Sequence, residues 1–93
     1  SIDAYVVCPK QENFALAFKT AIELRRAGFK VEYDFNGRSM KSQMKQANKF
    51  QAKQVLIFGE DELSRNAVTV RNMATSEQHE IAVNDIISYF NTL

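Results

Sequence analysis

Gln54-Val55-Leu56-Ile57-Phe58, halted by Gly59, decides the fold. A short apolar run rich in branched residues and closed by glycine predicts a strand buried on both faces. Such strands belong to parallel sheets, where each crossover lays a helix on the sheet. Upstream, a helix is expected from about Arg38 to Phe50, after the Asn36-Gly37 turn signal. Before it, Lys30 to Phe35 alternates: Val31, Tyr33 and Phe35 face one way, Glu32 and Asp34 the other. That is a half-buried strand nearer an edge. Residues 11 to 27 place Phe14, Ala17, Phe18, Ala21, Ile22 and Leu24 at helical steps, with Gly28 as a left-handed cap. Ala4-Tyr5-Val6-Val7-Cys8, closed by Pro9, is a second buried strand.

The order is therefore β-α-β-α-β, and right-handed crossovers place three parallel strands in one sheet. Downstream, residues 60 to 66 are polar and read as a loop. Ala67 to Met73 alternates, with Val68 and Val70 inward and Thr69 and Arg71 outward. Ala74 to Glu77 reads as a hairpin turn into a return strand near Gln78 to Ile81. Val83, Ile86, Ile87 and Phe90 mark a last amphipathic helix. The expected architecture is α/β: a five-stranded mixed sheet, three parallel strands plus a C-terminal hairpin, flanked by three helices.

The 93 residues amount to one domain, 1–93, with one core. The net charge of +1 names no partner, but its distribution does. Between Asn36 and Gly59 stand Arg38, Lys41, Lys45, Lys49 and Lys53, with no Asp or Glu among them. On a helix at about 100° per residue, Arg38, Lys41, Lys45 and Lys49 fall within roughly 80° of one another. Met40, Met44, Ala47 and Phe50 take the opposite side, the expected packing face. A cationic stripe of that spacing suits a phosphate backbone; a plain solvated helix face is the bland reading. On the fourth strand, Thr69, Arg71 and Asn72 carry groups that bond to bases and phosphates, and Glu62 supplies an acceptor from the preceding loop. The competing reading for Arg71 is a cross-strand surface ion pair.

Catalytic chemistry finds little support. His79 is the single histidine and stands in a polar stretch; Cys8 is the single cysteine and falls in an apolar strand. Glu60, Asp61 and Glu62 lack the spacing of a calcium loop. No phosphate-binding glycine motif occurs. No catalytic and no metal-ligating residue is assigned. One cysteine gives no internal disulfide, which fits a reducing, cytoplasmic setting, and no apolar run has the length of a membrane span.

Gly37-Arg38-Ser39-Met40-Lys41-Ser42-Gln43-Met44-Lys45-Gln46-Ala47-Asn48-Lys49 resembles the signature of the anticodon-binding domain of histidyl-tRNA synthetases, class II aminoacyl-tRNA synthetases. Leu24-Arg25-Arg26-Ala27-Gly28, Val55 through Leu63, Val68 through Met73 and Ser76-Glu77-Gln78 agree in order and spacing, so the resemblance runs over about residues 3 to 92. It implies the C-terminal module of a homodimeric ligase, one that grips the anticodon loop of histidine tRNA. ATP and Mg would be handled by a separate catalytic domain lying outside this chain, and this domain would hold no cofactor. It also implies that Glu62 and Arg71 read anticodon bases. Arg38, Lys41, Lys45 and Lys49, taken from the charge stripe, would hold phosphates. Two departures stand out. Relatives often carry a glycine in the turn that is Ser64-Arg65-Asn66-Ala67 here, and many start the last helix with proline where this chain has Ala82. A synthetase-like regulatory subunit of ATP phosphoribosyltransferase is the alternative, a structural role without RNA; the basic stripe argues against it.

Overall fold

Ala52–Ile57 (β3) forms the middle of a five-stranded sheet in a computed structural model that describes residues 1–93. It pairs in parallel with Ile2–Val7 (β1), which pairs in parallel with the edge strand Val31–Tyr33 (β2). On its other side it pairs antiparallel with Ala67–Asn72 (β4), and β4 pairs antiparallel with Gln78–Ala82 (β5). The spatial order is β2-β1-β3-β4-β5. The mixed sheet and the edge position of β2 agree with the sequence expectation.

Pleat parity sorts the side chains onto two faces. Ala4, Val6, Cys8, Leu56, Phe58, Val68 and Val70 join the main core on one face. The helices Phe14–Arg26 (α1) and Ile86–Asn91 (α4) cover it with Ala17, Ala21, Leu24, Ile86 and Phe90. Tyr5, Val7 and Val55 form a smaller cluster on the opposite face, beneath Ala47 of the helix Met40–Lys49 (α2), and Ala52 joins this cluster from the start of β3. β1 is apolar and buried from Ala4 to Val7, where helices cover both of its faces. α1 closes in a Schellman motif: Phe29 N–H bonds Leu24 C=O at 3.1 Å and Gly28 N–H bonds Arg25 C=O at 3.0 Å. Gly28 supplies the φ of 99° that this closure requires.

The structure corrects four local expectations. First, α2 starts at Met40, not Arg38, because Ser39 caps it: the Ser39 hydroxyl accepts the Ser42 N–H at 3.1 Å. Second, residues 60 to 66 are not all loop. Glu60–Leu63 forms a one-turn helix (α3), with acids at its positive end, so four helices flank the sheet. Third, the helix expected over 11 to 27 opens with a 3-10 turn at Gln11–Asn13. Fourth, the buried face of α2 is Gln43 and Ala47, while Met40 and Phe50 at the helix ends remain 39% and 41% exposed. The Phe50 ring still lies 5.8 Å from that of Tyr5. In the Ser64-Arg65-Asn66-Ala67 turn, Asn66 takes φ 58°, a left-handed position that asparagine tolerates better than most residues.

Candidate nucleic-acid interface

The charge stripe survives in shortened form. Lys41, Lys45 and Lys49 are exposed on α2, opposite Gln43 and Ala47, and none of them has an ion-pair partner. Arg38 does not belong with them. It lies in the loop before the helix, donates to Asp34 at 2.7 Å and to Ser42 Oγ at 3.2 Å, and so ties the end of β2 to the start of α2. That bond, with the Asn36 N–H, holds the Asp34 carboxyl below its ordinary range. With its guanidinium engaged in this way, Arg38 leaves the stripe.

Beside α2, the same face of the sheet lies open. Arg71 pairs with Val55 and Gln78 in register, and Thr69 pairs with Ile57 and Glu80. α2 packs chiefly over β1 and β3, and Gln78 and Glu80 of β5 are exposed. Met44 packs in one cluster with Ile57 and Met73, and Asn48 lines one groove with Met73 and Ala74. The end of α2 carrying Asn48 therefore borders an open groove beside the start of β3 and the segment that follows β4.

Arg71 decides between its two sequence readings. It is half-buried, its Nε is buried without a hydrogen-bond partner, and no carboxylate pairs with it. The cross-strand ion pair is absent. Inside a protein, a guanidinium with unspent donors is uncommon, because desolvated polar groups normally find partners. Arg65 behaves otherwise: it bridges Asp61 at 3.3 Å and Glu80 at 2.8 Å, which raises its pKa.

Glu62 shows a parallel contrast. Of the three adjacent acids, Glu60 pairs with Lys10 at 3.6 Å and Asp61 with Arg65. Glu62 pairs with nothing and folds back over Gly59, into the space that a side chain at position 59 would fill. Gly59 is the N-cap of α3 and Glu62 its third residue, the spacing at which an acid reaches back to the cap. No hydrogen bond or ion pair joins Glu62 to Arg71. Glu62 follows the end of β3, whereas Arg71 lies opposite Val55, two residues (about 7 Å) before Ile57. Two separate ligand groups suit that spacing better than one.

Asn72 is a correction. Pleat parity puts it on the face opposite Arg71, and its Oδ1 accepts the N–H groups of Ala74 and Thr75 at 2.9 and 3.1 Å. It builds the hairpin turn. Sequence reasoning missed Gln43, which is fully buried. The signal was its position four residues before Ala47, on the same side of the helix. Cys8 is buried, and burial pushes its thiol up to about 11. No group of three or more His, Cys, Asp or Glu is placed to hold a metal ion, and no helix is long and apolar enough to cross a membrane.

Comparison with known proteins bears on this geometry. The sequence model of one family, the anticodon binding domain, matches residues 3–93. Among curated proteins, histidine–tRNA ligase 2 of Bacillus cereus is 44% identical over 89 residues, which is 96% of this chain and 21% of that protein. Histidine–tRNA ligase of Pyrococcus furiosus is 39% identical over 87 residues, 94% of this chain and 20% of its own length. Among solved structures, apo histidyl-tRNA synthetase of S. aureus superposes with a TM-score of 0.89 at 33% identity, covering 97% of this chain and 26% of that one. The chain thus spans about a fifth of the length of the curated relatives it matches.

Proposed function

The chain belongs to the anticodon-binding domain family, and from that premise we propose that it grips the anticodon loop of histidine tRNA as one module of a histidine–tRNA ligase. Unpaired anticodon bases lie on the open face of β4, where Arg71 donates to base acceptors and Glu62 accepts from base amino or imino groups. Thr69 contributes its hydroxyl from the same face. Lys41, Lys45 and Lys49 hold the phosphates of the loop. ATP, Mg and the aminoacylation chemistry belong to the remainder of the ligase, and the whole protein is a homodimer working in the cytoplasm.

One observation carries this reading: half-buried Arg71 has a buried Nε with no hydrogen-bond partner and no paired carboxylate, on the side of the molecule where Lys41, Lys45 and Lys49 of α2 stand exposed and unpaired. Calorimetric titration with anticodon stem–loops tests it. A histidine anticodon stem–loop is expected to bind more tightly than one with the same stem and a scrambled loop, with affinity falling as salt rises. Equal affinity for both loops refutes base reading, and no binding at low salt refutes the RNA role altogether, leaving a structural role as in the regulatory paralogues.

A further inference from the structure

α2 has little hydrophobic grip on the sheet. Only Gln43 and Ala47 of the helix are buried, and Met44 is half-covered. Apolar contact is non-directional. A methyl group and a thioether hold the helix down without fixing its slide along the sheet or its rotation. Gln43 supplies the direction. Its Oε1 accepts the Cys8 N–H at 2.7 Å, and its Nε2 donates to the Cys8 carbonyl at 2.9 Å and to the Arg38 carbonyl at 2.9 Å.

The two bonds to Cys8 are those a neighbouring strand would make. Cys8 lies just past the end of β1, beyond its registered pairing with β2 and β3. Its N–H and C=O are buried and require partners, and the side-chain amide provides both. The third bond gathers in the loop that leads to α2. No other side chain fits all three demands. Asparagine is one methylene too short, glutamate lacks the donors and would face two carbonyl oxygens, and methionine has the shape without the polarity.

We infer that Gln43 is a positioning residue for RNA binding. It fixes α2 in register on the sheet, so that Lys41, Lys45 and Lys49 stand at a set distance from Arg71 and Thr69. Gln43 itself is inaccessible and touches no ligand. The inference rests on the RNA-binding reading above.

The test is a salt series of titrations with the histidine anticodon stem–loop, using the 93-residue chain and its Gln43→Met variant. Val68→Ala, in the core on the far side of the sheet, is the control for lost stability alone. Gln43→Met is expected to fold cooperatively and to lose roughly tenfold in affinity at low salt, with a log–log salt slope shallower by about 1 to 2. Its preference for the cognate over the scrambled loop persists, because β4 is undisturbed. Val68→Ala keeps the wild-type slope. A wild-type slope in Gln43→Met, or the same shallowing in Val68→Ala, overturns the inference. If Gln43→Met does not fold, amide exchange of the wild-type chain decides. Cys8 N–H should exchange as slowly as the N–H groups of Val6 and Val7, and loop-like exchange overturns the inference. A wild-type chain that does not bind the stem–loop overturns the RNA reading instead, and exchange at Cys8 still reports on the clamp.

Discussion

Gly59 and Glu62 act as one unit. The Glu62 carboxylate occupies the place of a side chain at position 59, and Gly59 has φ −87°, which any residue adopts. Gly59→Ala therefore carries no backbone strain. It displaces the far end of a flexible side chain, so stability changes little while the carboxylate is re-aimed. The expected outcome is a loss of cognate preference close to that of Glu62→Ala, with an unchanged midpoint in urea. A large fall in stability would mean that the carboxylate is structural instead. Cys8 gives a prediction about pH. Its folded pKa, about 11, lies above its ordinary value of 9.0. A raised thiol pKa adds stability that is complete below the unfolded value and is lost as pH climbs through the folded one. Urea denaturation should show stability falling between about pH 9 and 11, and Cys8→Ala should flatten that part of the profile.

At the level of elements, the ladder between β4 and β5 shows what position 82 can accept. Asn72 N–H bonds Glu77 C=O and Val83 N–H bonds Asn66 C=O. Alternation from those two bonds turns the backbone groups of Glu77, His79, Ile81 and Val83 toward β4. Those of Gln78, Glu80 and Ala82 face the open edge. Ala82 has φ −59° and ψ 139°, the φ that proline fixes, and its N–H is not needed by the ladder. Ala82→Pro should stabilise the chain by about 0.4–1 kcal/mol through the unfolded state, measured as a rise in the denaturation midpoint. A fall would contradict the edge assignment. The five strands and the three longer helices were legible because burial on one or two faces leaves a period in the chain, as in residues 54–58 and 67–73. The start of α2 was misread because charge periodicity ran through Arg38, whereas the cap chemistry of Ser39 sets the boundary. Helical spacing from Ala47 could have shown that Gln43 faces inward, but its bonds stayed hidden because their partner, Cys8, is 35 residues away in sequence. The pairing state of Arg71 was equally illegible, since register decides it.

The whole molecule divides its labour between two sheet faces. α1 and α4 close one face and make the main core. α2 packs on the other, chiefly over β1 and β3. The acids near the paired cations are largely neutralised: Asp3 by Lys53, Glu32 by Arg25, Asp34 by Arg38, Glu60 by Lys10, and Asp61 and Glu80 by Arg65. A net charge of +1 thus coexists with a local positive field over α2 and Arg71. The central claim is that specificity resides on the sheet and general affinity on the helix. The most direct measurement compares Arg71→Ala and Lys45→Ala against cognate and scrambled anticodon stem–loops across a salt series. Arg71→Ala should weaken cognate binding by about 1–3 kcal/mol, on the scale of bidentate base contacts, and bring it towards the scrambled level. Lys45→Ala should weaken both loops alike and reduce the salt slope by about 1. Equal losses for both loops in both variants would contradict the division of roles.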